Sequence, residues 1–238
     1  MSTLTVERLT TGYGDGAPVV DGLDLEVPDG AVVALLGANG AGKTTLLRAL
    51  TGTVPTRGGR VLLDGADLTG LRTEERVRRG LALVPEGRGV VVELTVEENL
   101  RLGGLWRHRE PALRAAVAEM YELFEPLAHR RDAPGHTLSG GERRMLALAG
   151  ALVSRPDVLL LDEPSLGLAP LVVARLLGVL RDTAARTGLT VLLAEQNVTG
   201  ALSIADRGVV LSLGAIVADR PARELAADPA LRHAYLGF

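Results

Sequence analysis

The chain of 238 residues has no cysteine, which excludes disulfides and thiolate metal sites and fits a reducing compartment. Aromatic residues make up only 3% against 47% apolar residues in total, so the core must be built mostly from Leu, Val and Ala. Lysine is all but missing: of 26 basic residues, Lys43 is the one lysine and the others are arginine. A large charge excess is also lacking, and a net charge of −3 offers no bulk attraction to nucleic acid or anionic lipid. No run of about 18 uncharged apolar residues is present, so no membrane-spanning helix is expected. The opening MSTLTVERLTTGYG lacks a basic segment followed by an apolar one, so no secretory signal is expected either. A chain of this length can bury a sizeable core as one α/β domain with a subdomain, and any membrane role is expected to come through partners.

What is present is organised around residues 32–45, VVALLGANGAGKTT. The apolar run Val32–Leu36 reads as a buried strand, and it empties into a glycine-rich turn before helical character begins at Thr44. Gly37, Gly42, Lys43 and Thr44 match G-x-x-x-x-G-K-[ST]. Glycines let backbone N–H groups curl around anionic oxygens, and the helix behind them aims its positive dipole end at the same phosphates. Lys43 is expected to reach the β- and γ-phosphates and Thr44 to enter the coordination shell of Mg²⁺. That the lone lysine stands here supports the reading, because a planar guanidinium is no substitute for a compact ammonium.

The order of the remaining elements predicts a parallel sheet with crossover helices. Residues 4–9 and 23–27 alternate as half-buried strands, with Thr11, Gly12, Tyr13 and Gly14 between them. Residues 60–63 and 81–84 read as strands, and the loop after the second begins Pro85, Glu86, Gly87, Arg88. From Thr95 to about residue 127 the pattern is helical, a subdomain inserted between two halves of an α/β core; residues 131–137 are a polar linker. A further helix follows residues 138–142, LSGGE, and residues 158–161 form an apolar strand ending in Asp162 and Glu163. A helix over 171–186, a strand over 190–194, the helix Val198–Ile204, a hairpin over 208–218 and two small helices complete the chain.

Asp162 and Glu163 stand at the carboxyl end of a buried strand, the edge at which ligands lie in open α/β sheets. Successive residues there point apart, so Asp162 is assigned to the metal and Glu163 to the water that attacks the γ-phosphate. Ser139, Gly140 and Gly141 open a helix and offer a hydroxyl and backbone N–H groups to an anion. A plain N-cap needs the serine but not both glycines, which weaken a first turn.

GANGAGKT, LSGGE and LLLDEP, in that order around a helical insertion, resemble the nucleotide-binding domain of ABC ATPases over essentially all 238 residues. The resemblance implies a P-loop fold in one domain, with residues 1–86 and 155–238 as core and about 87–154 as helical subdomain. It implies ATP and Mg²⁺, a nucleotide held by Tyr13, Gly37, Asn39, Gly40, Gly42, Lys43, Thr44 and Thr45, and a head-to-tail dimer. In that dimer Ser139, Gly140, Gly141 and Glu142 of one chain complete the site built around Lys43, Thr44, Asp162 and Glu163 of the other. Tyr13 resembles the aromatic that stacks on adenine. VPEGR (84–88), LTVEENL (94–100), DEPSLGLAP (162–170), EQN (195–197) and AYLG (234–237) are similar to the LivF-type ATPases of branched-chain amino-acid importers. That implies a subunit at the cytoplasmic face of the cell membrane, paired with a second, LivG-like ATPase or with itself. Two permeases and an external binding protein complete the assembly, and no nucleic acid is expected.

Glu86 stands where most ABC ATPases carry glutamine, placing a carboxylate near the metal, and Gln196 where a switch histidine is usual. Ala169 likewise replaces an aspartate, and all three fit the LivF-type pattern. Val90, Val91, Val92, Leu94 and Trp106 offer an apolar surface for a short permease helix or, alternatively, internal packing of the subdomain. Rival readings are an importer ATPase for urea or amides and a soluble ABC ATPase acting on DNA or ribosomes. The latter usually has coiled-coil arms, tandem cassettes or basic surfaces, none of which is visible. A GTPase is excluded because Asn-Lys-x-Asp would need a second lysine, and a small-molecule kinase would not need LSGGE.

Overall fold

The computed structural model describes residues 2–87 and 89–228. Arg88, the AYLG segment and the last expected helix lie outside the described residues. The chain lays down β1 (Leu4–Thr11) and β2 (Val20–Val27), passes through β3 (Val32–Leu36) and α1 (Lys43–Leu50), and returns as β4 (Thr56–Leu63) and β5 (Ala66–Asp67). Apart from β3 and α1, these form an antiparallel sheet in the order β2-β1-β4-β5. The burial of β2 follows its alternating sequence, with Leu23, Leu25 and Val27 inward and Asp24 and Glu26 outward. A short α2 (Thr73–Arg78), not anticipated from the sequence, leads into β6 (Leu81–Val84).

Four helices follow: α3 (Val96–Gly104), α4 (Ala112–Leu123), α5 (Glu125–Ala128) and α6 (Gly140–Leu152). The helical pattern expected from Thr95 onward is therefore interrupted. Gly103 and Gly104 weaken the end of α3, and Pro111, which has no N–H to donate, serves as the N-cap of α4. The chain then completes β7 (Val158–Asp162), α7 (Pro170–Thr187), β8 (Thr190–Glu195), α8 (Val198–Ile204), β9 (Arg207–Ser212), β10 (Ala215–Pro221) and α9 (Ala222–Ala226). No helix among the described residues is long and apolar enough to cross a membrane.

The central sheet runs β10-β9-β3-β8-β7-β6, parallel except for the β9–β10 hairpin at its edge. β3, β6, β7 and β8 read as near-continuous apolar runs because both faces are covered, whereas the edge strand β10 is largely exposed. Val32, Ala34, Leu36, Leu159, Leu161, Val191 and Leu193 face one core with the inserted helices and α7. Val33, Leu35, Val158, Leu160, Leu192 and Ala194 face a second core with α1 and the antiparallel sheet. The two-residue period of the strands thus divides one apolar sequence between two cores.

The surface expected from residues 90–94 and Trp106 is split. Val90 packs against the first core, while Val91 is exposed, as are Leu102, Leu105 and Trp106. The far end of α1 is held by a residue that sequence reading passed over. Arg76 of α2 is only 2% exposed, and its guanidinium donates to Ala49 O and Leu50 O at 2.8 Å each and to Thr69 O and Leu71 O. The bond to Leu50 O serves a carbonyl at the helix end, Ala49 O accepts from Gly52 N as well, and the bonds to Thr69 O and Leu71 O tie the segment before α2 to the same guanidinium. Arg76→Met should lower unfolding free energy by about 3 kcal/mol, since charge-assisted bonds to buried carbonyls are lost. Urea titration checks this, and an unchanged midpoint would mean that packing alone holds α1.

Candidate active site

Three neighbouring strands, β3, β8 and β7, deliver the site. Their register sets Leu36 beside Glu195 and Asp162 beside Ala194, so the loops after them leave the sheet at one level. After β3 the chain must pass close to β9: a Cβ on Gly37 would lie 2.4 Å from Leu211 O. Gly42 caps α1 with φ 110°, a conformation that side chains strongly disfavour. A cleft of about 380 Å³ opens above this loop, lined by Asn39, Gly40, Lys43, Thr44, Thr45 and Glu86 among others.

Lys43 is buried, and its ammonium donates to Gly37 O (2.7 Å) and Ala38 O (3.2 Å) and lies 3.2 Å from Glu163 Oε1. Glu163 also accepts a 2.6 Å hydrogen bond at Oε2 from Gln196 Nε2. Its φ of +46° turns the chain sharply out of β7, a left-handed conformation uncommon outside glycine. The expected divergence of the two carboxylates is present: Asp162 Oδ1 instead accepts from Thr44 Oγ1 at 3.0 Å. Burial pushes the Asp162 carboxyl above the usual range, and the negative charges of Glu163 and Glu86 add to the shift, against the Thr44 hydrogen bond.

Glu86 is exposed on the rim of the cleft. Tyr13 is 49% exposed, and its hydroxyl leans on α1, accepting from Arg48 Nη1 at 3.2 Å and from Thr45 Oγ1 at 3.4 Å. Ser139, Gly140, Gly141 and Glu142 do not line the cleft. Ser139 and Glu142 form a capping box: Ser139 Oγ accepts from Glu142 N at 3.2 Å, and Glu142 Oε2 accepts from Ser139 N at 2.8 Å. The backbone donation from Ser139 holds the Glu142 carboxyl below its ordinary range. The serine is therefore an N-cap within its own chain. The two glycines differ: a Cβ on Gly141 would press on Val172 Cγ1 at 3.0 Å, whereas one on Gly140 would meet nothing within 4 Å.

Sequence reading named Glu195 only within the EQN segment and passed over Arg144. Glu195 is 2% exposed and accepts from Ser165 N and Ser165 Oγ at 2.8 Å each, which ties the loop after Glu163 to the end of β8. Burial pushes its carboxyl upward, against those hydrogen bonds. A charge directly after an apolar strand was the signal, as it was for Asp162. Arg144 of α6 donates to Pro85 O at 3.4 Å; burial lowers its pKa, while Glu195, Glu86 and Asp162 favour its charge. No group of three or more His, Cys, Asp or Glu among the described residues converges to hold a metal. Thr44 and Asp162 are hard oxygen donors placed side by side, a set that fits Mg²⁺ when phosphate oxygens and water supply the other ligands.

Residues 20–166 match the protein family described as ABC transporter. Over 234 residues the chain is 42% identical to the high-affinity branched-chain amino acid transport ATP-binding protein BraG of Pseudomonas aeruginosa, covering 98% of this chain and 99% of the relative. It is 36% identical over 242 residues to the lipopolysaccharide export system ATP-binding protein LptB of Escherichia coli, covering 100% and 98%. Among solved structures, the ADP conformation of an ATP-binding cassette from an ABC transporter aligns with a TM-score of 0.87 at 26% identity, covering 100% of both chains. A bacterial Atm1-family ABC exporter with ATP bound aligns with a TM-score of 0.81 at 27% identity, covering 97% of this chain and 40% of the exporter.

Gln196 carries no titratable group, so the pH profile of ATP hydrolysis should lack a step from this position near the imidazole pKa of about 6.5. Gln196→His should introduce one, with activity falling as pH drops, because an imidazolium beside Glu163 pairs with the carboxylate. Profiles of both proteins in the assembled complex check this. A wild-type step near that pH, unchanged in the variant, would assign control to another group.

Proposed function

Because this chain belongs to the ABC transporter family of ATP-binding, ATP-hydrolysing proteins, we propose that it is the energy-coupling subunit of a branched-chain amino-acid importer. The substrate class is supported by the 42% whole-length identity to a relative named for that transport, together with the PEGR, DEPSLGLAP and EQN segments. The 36% identity to a lipopolysaccharide-export ATPase favours a second reading, the ATPase of an exporter.

In the proposed cycle the phosphates dock on the N–H groups of the loop before α1, and Tyr13 stacks on the adenine. The γ-phosphate competes with Glu163 for the Lys43 ammonium. As Lys43 transfers its contact to phosphate, Glu163 is freed to take the proton of the attacking water, still oriented by the Gln196 amide. Thr44 and Asp162, with Glu86 on the rim, would hold Mg²⁺, which when bound would supply charge stabilisation to the phosphates.

The observation that carries the paired-chain reading is Gly140. It is exposed, no packing within its own chain requires it, and it stands outside the cleft beside an exposed helix N-terminus. A second ATPase, related or identical, brings its own Ser139, Gly140, Gly141 and Glu142 positions onto this ATP, and this chain reciprocates. Closure on ATP and opening after hydrolysis then drive two permeases between inward and outward states. Exposed Val91, Leu102, Leu105 and Trp106 form the apolar surface that meets a permease helix.

Glu163→Gln should lower hydrolysis by about a hundredfold or more while ATP still binds, which traps the closed pair. Captured with ATP and Mg²⁺ from solubilised native membranes, the tagged variant should bring down an ATPase partner and two polytopic permeases. Components of a lipopolysaccharide exporter would replace the importer reading with the second one; ribosomes or DNA would overturn both.

A further inference from the structure

The loop that carries Tyr13 is held open by a single side chain that has no place in the chemistry above. Residues 12–18 leave β1 and return to β2, and their base is closed by Val19 N donating to Thr11 O at 2.9 Å. Thr11 Oγ1 pins the same corner to Pro55 O at 2.9 Å. Beyond that corner Tyr13, Gly14, Asp15 and Gly16 are all exposed, and the hydrophobic cores do not reach them. What organises the tip is Arg57, the second residue of β4. Its Nη1 donates to Gly16 O at 2.7 Å, and its Nη2 donates to Gly14 O at 2.6 Å and Tyr13 O at 3.1 Å. Three carbonyls of one turn therefore converge on one guanidinium, with Gly14 at φ +53°.

We propose that Arg57 is a positioning residue for ATP: by gathering these carbonyls it fixes the backbone of Tyr13, so that the ring is set to receive the adenine base. The inference rests on the reading of Tyr13 as the base-stacking residue. Two features of the geometry support it. The Tyr13 main chain is fixed by Arg57 while its hydroxyl is fixed by Arg48 and Thr45 of α1, so the ring is tethered at both ends and yet 49% exposed. Thr45 also lines the phosphate cleft, which places the tethered ring along the path from the phosphates outward. An aromatic held rigid but left bare is suited to stacking, because the entropy of ordering the loop is not charged against binding. The planar fork matters here: a guanidinium directs several N–H groups at fixed angles, whereas a lysine ammonium does so as one mobile point.

Calorimetric titration of Mg·ADP and of inorganic tripolyphosphate separates base recognition from phosphate recognition, since tripolyphosphate has no base. Arg57→Met should weaken ADP binding by about tenfold, comparable to the loss of one base–aromatic stack, and leave tripolyphosphate binding unchanged. Arg57→Lys should recover only part of the loss. In steady state the KM for ATP should rise with kcat unchanged. Tyr13→Ala should show the same ADP-specific loss, and the double variant should bind no worse than Tyr13→Ala alone. If Tyr13→Ala loses ADP affinity and Arg57→Met does not, the clamp is overturned and the stacking reading stands. If Tyr13→Ala keeps its affinity, the stacking reading fails and takes the clamp with it. Equal losses for ADP and tripolyphosphate in Arg57→Met would mark a general disturbance of the site and overturn the proposal.

Discussion

The contact on which the rest of the site depends is the buried pairing of Lys43 with Glu163. An ammonium taken out of water needs partners, and this one has two loop carbonyls and a carboxylate at 2.7, 3.2 and 3.2 Å. The same bonds tie Lys43 to the loop at Gly37 and Ala38 and to the Glu163 carboxylate, which in the proposed cycle is the base that phosphate displaces from the cation. One ion pair thus connects loop shape to the proposed phosphate site and, in the proposed cycle, to the timing of base release. Gln196 shares Glu163 from the other side, so that in the proposed cycle the carboxylate keeps a partner when the lysine turns to phosphate.

That contact is available because of strand order. β8 lies between β3 and β7, so the phosphate loop, the Gln196 turn and the Asp162–Glu163 corner emerge side by side although they are far apart in sequence. Carboxylates accumulate at this edge: Asp162, Glu163, Glu195 and Glu86, with Lys43 and Arg144 as the nearby cations. The upward shifts at Asp162 and Glu195 express burial first and that crowding second.

Much of this was legible in the sequence because the elements involved are locally determined. Val32–Leu36, the glycine loop and the apolar run ending at Asp162 declare themselves by pattern, and Val198–Ile204 coincides with α8. What escaped depends on long-range placement. α2 is short and polar, and only the structure reveals that its Arg76 ends α1. Glu195 read as part of a motif, but its pairing with Ser165 spans thirty residues. The region from Thr95 to about residue 127 reads as helical by periodicity, and the structure divides it into α3, α4 and α5. Ser139 forms a capping box with Glu142 within its own chain, and its part in a paired ATP site rests with Gly140 on the proposed function.

The central claim is that Gly140 serves a site on another chain, and one measurement meets it directly. In the Glu163→Gln background, sedimentation velocity with ATP, Mg²⁺ and the captured ATPase partner, a second copy of this chain where the two are identical, should show the single chain double in mass by pairing. Adding Gly140→Asp places a carboxylate where space is open and where a helix N-terminus favours it, so the fold is unharmed. The account predicts that this variant binds ATP as a single chain with unchanged affinity but no longer doubles. Weakened ATP binding to the single chain, or doubling that persists despite the added charge, would contradict it.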